Sequence, residues 1–166
     1  MSTWFRRLGF AEVHQRLIVG AVPLDEGDVR MLARLGVTRI LNLVEDREYG
    51  TGARARVEEA LDQAGIEELR LSTEDYGNLP ASLLDRAVTV IDGWISEGQL
   101  VYLHCRAGWQ RSATVAGAVV AAREAVSADE ALGRIRARKP SADPLPHQKE
   151  DLRAWYEGRQ IQAAER

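Results

Sequence analysis

The sequence is poor in cysteine, histidine and long apolar runs, and each shortage excludes a class of protein. Its single cysteine, Cys105, excludes an intramolecular disulfide and indicates a reducing compartment. The three histidines are scattered without metal-ligand spacing, so we expect neither a metal nor another cofactor. No apolar stretch is long enough to span a bilayer and no signal peptide is apparent, so we expect a cytoplasmic protein without integral membrane association.

Lysine is also scarce, and positive charge comes almost entirely from arginine. Only Lys139 and Lys149 among the 22 basic residues are lysines, and the 25 acidic residues leave a formal charge of −3. That balance argues against a general nucleic-acid binder. The 166 residues contain no repeat, low-complexity tract or long linker, so we expect one domain over residues 1–166, acting as a monomer.

Apolar periodicity predicts alternating strands and helices, which indicates an α/β layer structure. β-rich apolar runs predict strands over residues 16–22, 38–44, 66–71 and 100–103. Helical spacing of apolar residues predicts helices after Asp25, around Val57 and Val88, from residue 110 to 125, and around Ile135 and Leu152. Residues 1–15 are poorly patterned, and we expect at most a short packed arm over residues 4–10.

The stretch from Val101 to Thr114 predicts a buried strand, a short loop and a helix. Such a joint gathers backbone N–H groups at the positive end of a helix, which forms an anion site. A thiol there, Cys105, is favoured as the nucleophilic thiolate, and the planar fork of Arg111 suits two oxygens of a phosphate. This pattern predicts attack by Cys105 on a bound phosphoryl group. The alternative is an inert structural cysteine in an apolar strand.

The segment His104-Cys-x5-Arg-Ser112 matches the signature of the cysteine-dependent protein tyrosine phosphatase superfamily, and Ser112-Ala-Thr114 resembles its dual-specificity branch. The resemblance extends over about residues 14–157. It implies a central twisted mixed sheet of four to five strands flanked by helices, with the helices concentrated in the C-terminal half. Residues 69–75 and 98–105 look closest to the phosphatidylglycerophosphate phosphatase branch.

The resemblance also implies roles for the residues around the loop. Residues Arg106, Ala107, Gly108, Trp109 and Gln110 would bind phosphate together with Arg111. Ser112 would stabilise the thiolate, with an ordinary helix cap as the alternative or as a second role beside it. His104 would orient the loop. Asn42, on an apolar strand, indicates a buried amide that holds loop backbone, its alternative being a solvent-facing strand end.

A leaving oxygen needs a proton donor, usually a carboxylic acid on a nearby loop. The family places an Asp about thirty residues before the cysteine, which selects Asp75 as the general acid, with Glu74 as its substitute. Gly77 and Asn78 would let this loop move over a substrate. The alternative is that both acids are merely solvated.

Two segments bear on what enters the site. Trp109 and Gln110 depart from common versions of the loop. Trp109 either lies at the rim, where it meets an aryl phosphate or a lipid glycerol backbone, or packs against a neighbouring loop. Residues 45–49 resemble an acidic loop beside the site in the lipid-phosphatase branch. They also suit an ordinary solvated turn, which is the interpretation we favour.

The sequence therefore predicts a phosphatase that hydrolyses phosphomonoesters through a phosphocysteine intermediate. We expect a phosphorylated protein as substrate, and a phospholipid headgroup of the phosphatidylglycerophosphate type as the alternative. A phosphate-binding pseudophosphatase is disfavoured because Cys105, Arg111 and Asp75 are all present. A rhodanese-like sulfurtransferase also has a cysteine loop, but the Arg-Ser ending argues against it.

Overall fold

A five-stranded sheet forms the centre of the protein. The structure, a computed structural model, describes residues 1–165. The strands lie in the order β1-β2-β5-β3-β4, and they span β1 Phe10–His14, β2 Leu17–Gly20, β3 Arg39–Asn42, β4 Glu67–Arg70 and β5 Val101–His104. β1 pairs antiparallel with β2 and the other pairs are parallel, which confirms a mixed sheet.

Helices flank this sheet, and most of the C-terminal half is helical. They are α1 Thr3–Leu8, α2 Glu26–Leu35, α3 Ala53–Ala64, α4 Ala81–Ser96, α5 Arg111–Glu124, α6 Ala128–Arg138 and α7 Pro146–Ala164, with a 3-10 turn at Asp46–Glu48. Among the described residues, no helix is long and apolar enough to cross a membrane. The predicted concentration of helices after the sheet is confirmed.

Both faces of the sheet are covered, as is usual where parallel strands predominate. Successive side chains of a strand point to opposite faces. Along β5, Val101 and Leu103 therefore pack with α4 and α5 in the larger core. Tyr102 instead packs with residues of α1, α2 and α3 in the smaller core. β5 lies between β2 and β3 and is buried throughout. Its last residue, His104, therefore lies at the carboxyl end of the central strand.

Helix α5 follows β5 and is buried from Arg111 to Ala121. Its small residues let other helices approach closely. A Cβ atom at Gly117 would lie 2.8 Å from a Leu132 methyl group and 3.0 Å from one of Leu152. This packing holds the N-terminal end of α5 at the carboxyl edge of the sheet, where the Cys105 loop lies.

The N-terminal segment is more ordered than its sequence suggests, since it forms both α1 and β1. The Ser2 hydroxyl accepts a hydrogen bond from the Phe5 amide, which caps α1. The Ser2 amide and hydroxyl each donate to Asp28, at 2.7 Å, and Phe5 is fully buried. These contacts join residues far apart in sequence, so local periodicity could not reveal them. The expected packed arm is therefore helix α1, which is followed in sequence by strand β1.

Asp28 anchors α1, and its removal should destabilise the protein. This buried carboxylate accepts from Ser2 twice and from the Leu24 amide at 2.9 Å. Asp28→Ala leaves these donors unpaired, which should lower the free energy of unfolding in urea by about 3 kcal/mol. The exposed Asp62→Ala serves as control and should change it by less than about 0.5 kcal/mol. An Asp28→Ala variant as stable as its control would contradict this anchoring.

Candidate active site

The loop between β5 and α5 surrounds a nearly buried thiol. Cys105 is 3% exposed, and its Sγ lies 3.2 Å from the Oγ of Ser112. The loop turns at Gly108, where φ is +76° and a Cβ would lie 2.6 Å from the carbonyl of Gly20. Only glycine meets both requirements, because other residues rarely adopt that φ and have a Cβ. The backbone can therefore curl against β2 above the start of α5.

Ser112 faces the sulfur and does not cap the helix. The N-cap position of α5 is Gln110, whose side chain makes no capping hydrogen bond, and Ser112 is the second helical residue. Its hydroxyl is buried against the Cys105 sulfur, so the alternative of an ordinary cap is wrong. A hydroxyl in this position can donate a hydrogen bond to a thiolate.

Arg111 is the most enclosed charged group of the site, at 1% exposure. Its two terminal nitrogens donate to the two carboxylate oxygens of Glu48 at 2.7 and 2.9 Å. It also donates to the Thr73 carbonyl at 2.8 Å and lies 3.0 Å from Asp75 Oδ1. Burial acts to lower the pKa of Arg111, but the hydrogen bonds and charge of Glu48 outweigh it and raise the pKa. The guanidinium therefore stays charged and held in one orientation.

The segment of residues 45–49 is only in part the solvated turn that we favoured, since Asp46 and Arg47 are exposed but Glu48 is not. The Glu48 carboxylate is 7% exposed and faces Arg111, while the Tyr49 hydroxyl accepts a hydrogen bond from Asn42. Burial would raise the pKa of Glu48, but its bonds with Arg111 prevail and lower it. Glu48 was not identified as a site residue, and the only sequence signal for it was the resemblance of this segment to the lipid-phosphatase loop.

Asp75 lies at the site, and its neighbour Glu74 does not. Asp75 contacts Arg111, lines the pocket that contains Cys105, and is 28% exposed. Glu74 is 72% exposed, and its carboxylate lies 3.9 Å from the guanidinium of a surface arginine, Arg47. The geometry therefore places Asp75, rather than Glu74, where a proton donor could act.

The loop that carries Asp75 is held from outside by α7. Gln148 donates to the Gly77 carbonyl at 3.0 Å, and His147 Nε2 lies 2.9 Å from the Tyr76 carbonyl oxygen. The Leu79 amide donates to Asp151 at 2.8 Å. Sequence reasoning missed these contacts because they join segments about seventy residues apart. They hold residues 76–79 against α7, in the part of the loop where Gly77 led us to expect movement over a substrate.

The two supporting residues are buried beneath the loop. Asn42 Oδ1 accepts from the Val44 amide at 2.8 Å, and its amide nitrogen donates to Tyr49 and Glu68. This confirms a buried amide holding loop backbone and excludes the solvent-facing alternative. His104 Nδ1 lies 3.2 Å from the Cys105 carbonyl oxygen, which it can contact only as a donor. Burial lowers the pKa of His104 to about 4, so the ring is neutral at pH 7.

A pocket of about 250 Å³ opens above Cys105. The loop forms one side with Arg106, Ala107, Trp109, Gln110 and Arg111, and Asp75 and Tyr76 form another. Trp109 lines this pocket and stays 42% exposed, so it lies at the rim. The remaining wall comes from α1, through Trp4, Arg7 and Leu8, which the sequence did not predict.

Comparison with known proteins points to one family. The model of the dual specificity phosphatase catalytic domain matches residues 19–158. The rat phosphatidylglycerophosphatase and protein-tyrosine phosphatase 1 is 30% identical over 154 residues, which cover 92% of this chain and 76% of that protein. An Arabidopsis thaliana phosphatidylglycerophosphate phosphatase, PTPMT2, is 29% identical over 83% of this chain and 58% of its own length. The crystal structure of PTPMT1 in complex with PI(5)P is 26% identical, with a TM-score of 0.80 over 93% of this chain and 98% of that one.

His104 should make stability depend on mildly acidic pH. Because its pKa is lower in the folded protein, the unfolded chain binds more protons between pH 6.5 and 4, and stability falls as pH falls through this range. Urea unfolding should show a loss of about 2 kcal/mol between pH 7 and pH 5 from this residue alone. His104→Asn should not show this loss of unfolding free energy between pH 7 and pH 5. His14→Asn, the control at a partly buried histidine of β1, should keep it, and equal slopes in the two variants would contradict the assignment.

Proposed function

The chain belongs to the dual specificity phosphatase family, and from this membership and the pocket geometry we propose that it removes the terminal phosphate of a phospholipid headgroup. As a cysteine-dependent phosphomonoester hydrolase, it needs a nucleophile, an anion cradle and a proton donor. Cys105, the loop residues that follow it (Arg106, Ala107, Trp109, Gln110 and Arg111) and Asp75 line one pocket and suit these roles in that order. The proposal invokes no metal or cofactor.

In the proposed first step, the Cys105 thiolate attacks phosphorus in line with the leaving oxygen. The S–P bond forms as the P–O bond breaks, and Asp75 gives its proton to the departing oxygen. Loop amides and Arg111 stabilise the equatorial phosphoryl oxygens. A bound phosphate replaces the Asp75 carboxylate beside Arg111, and Asp75 is protonated before it acts as the acid.

In the second step, water cleaves the phosphocysteine. Asp75, now ionised, removes a proton from the water, whose oxygen attacks phosphorus while the S–P bond breaks. The thiolate leaves towards the Ser112 hydroxyl, 3.2 Å from the sulfur in the free protein. The products are inorganic phosphate and the dephosphorylated headgroup, and the enzyme returns to its starting protonation state.

The observation that supports a lipid substrate is the contact between Glu48 and Arg111. It places residues 45–49, the segment that resembles the lipid-phosphatase loop, directly against the phosphate site. The rat and Arabidopsis relatives, both named for phosphatidylglycerophosphate hydrolysis, support the same substrate.

A phosphotyrosyl protein is the second candidate. The rim position of Trp109 favours it, since an indole can stack on an aryl phosphate. The rat relative is also named a protein-tyrosine phosphatase, so the two substrates are compatible with one site. A cytoplasmic location, a monomeric state and a single domain over residues 1–166 stay predictions alongside this proposal.

The role of Asp75 can be tested with leaving groups of different basicity. Asp75→Asn should lower kcat about 100-fold for an alkyl phosphate, whose leaving oxygen needs a proton, and far less for para-nitrophenyl phosphate. Cys105→Ser should abolish turnover of both, and Glu74→Gln should alter neither. Steady-state kinetics measure each case. Undiminished alkyl phosphate turnover by Asp75→Asn would remove Asp75 from the mechanism.

The substrate proposal is tested by measuring phosphate release from micellar phosphatidylglycerophosphate and from a phosphotyrosyl peptide. We expect kcat/KM to be at least about tenfold higher for the lipid, a difference of about 1.4 kcal/mol in transition-state binding. Cys105→Ser serves as the blank for both substrates. A preference for the peptide would support the protein phosphatase instead. Release from neither, with turnover of para-nitrophenyl phosphate, would overturn both candidates.

A further inference from the structure

Helix α1 supplies a wall of the pocket that the reaction itself does not use. Trp4, Arg7 and Leu8 line the same cavity as Cys105. The helix is not a loose tail, because Phe5 is fully buried and Ser2 is bonded twice to Asp28. Side chains on its pocket side are therefore carried by a fixed backbone, at a set place relative to the thiol.

Two arginines of this pocket lack the neutralising acids that surround Arg111. Arg106 donates to the Glu48 carbonyl at 2.7 Å, and its guanidinium lies 5.3 Å from the Trp4 ring centre. Within residues 1–165, neither Arg7 nor Arg106 has a carboxylate within 4.0 Å, while the pocket acid Asp75 and the neighbouring Glu48 are engaged by Arg111. Their positive charge is therefore available to a ligand.

We infer that Arg7, assisted by Arg106, forms a second anion subsite that receives another phosphate carried by the leaving group. The fork of a guanidinium can contact two phosphate oxygens at once. Apolar Trp4 and Leu8 lie in the same wall and suit the carbon skeleton between the two phosphates. The substrate class is then a phosphomonoester that bears a second phosphate group on the alcohol it releases.

This inference rests on the proposed function and sharpens it. Phosphatidylglycerophosphate carries a phosphodiester at the other end of the glycerol unit that bears its phosphomonoester, whereas a phosphotyrosyl side chain carries no second phosphate. The pocket of about 250 Å³ is near the lower end of ligand pockets, about 300 Å³ and upwards, so it suits a headgroup rather than acyl chains. The subsite therefore recognises the headgroup, from a lipid or from a free bisphosphate.

The test compares two soluble substrates with the same scissile phosphomonoester, of which only one carries a second phosphate, as part of a glycerophosphoryl group. One is glycerol 3-phosphate and the other is deacylated phosphatidylglycerophosphate, with the same scissile end. The protein should give a kcat/KM ratio of at least about tenfold in favour of the second. Arg7→Gln should reduce that ratio about tenfold, mainly through KM, because the lost contact is made in the bound substrate as well as in the transition state.

Arg6→Gln is the matched control, since Arg6 is the adjacent exposed residue of α1 and does not line the pocket. It should keep the ratio of the unaltered protein. Equal kcat/KM for the two soluble substrates, or an Arg7→Gln ratio equal to that of Arg6→Gln, would overturn the inference. Circular dichroism checks that each variant is folded.

A third substrate, micellar phosphatidylglycerophosphate, separates the two sources of the second phosphate. A further gain on the micelle that Arg7→Gln reduces supports a lipid. An Arg7-dependent preference in the soluble pair without any micellar turnover supports a free bisphosphate, so the subsite stands while the lipid substrate fails. Micellar turnover without an Arg7-dependent ratio leaves the proposed function intact and overturns the subsite.

Discussion

The site depends on neutralising a guanidinium that is almost completely buried. An unpaired charge in that position would cost several kcal/mol, so Arg111 requires acidic partners in fixed places. Glu48 and Asp75 supply them, from the loops that follow the paired strands β3 and β4. The requirement draws the acidic loop and the acid-bearing loop onto the start of α5. One electrostatic constraint thus assembles the anion cradle, the proposed proton donor and the side of the pocket that faces them.

Packing of helices α5, α6 and α7 supports this arrangement. The small residues of α5 permit close packing by α6 and α7, and α7 in turn holds the loop of Asp75 through Gln148 and Asp151. On the other side, α1 closes the pocket with arginine and apolar side chains. The pocket consequently has two kinds of positive charge: buried Arg111, which is paired with carboxylates, and exposed Arg7 and Arg106, which have no carboxylate partner within residues 1–165. Such a division suits a substrate with one reacting phosphate and one that only binds.

Local sequence patterns predicted strands β2 to β5, the buried α5 and the amide of Asn42, because each depends on neighbouring residues of one element. The same reasoning was wrong for Glu48, since a charged residue is solvated unless a partner elsewhere buries it. It also underestimated residues 1–15. Helix α1 is only six residues long and is stabilised by the carboxylate of Asp28 and by the burial of Phe5, neither of which is a local signal.

The sequence by itself determined the strand, loop and helix around Cys105, because contiguous residues specify how the backbone turns and which side chains it presents. The five-residue spacing between Cys105 and Arg111 and the glycine at position 108 are among these contiguous features. Tertiary structure alone decided that Glu48, 63 residues away, neutralises Arg111 and that Arg7 enters the pocket. The physical reason is that charge pairing and burial depend on distances in space, which only the packed sheet and helices establish.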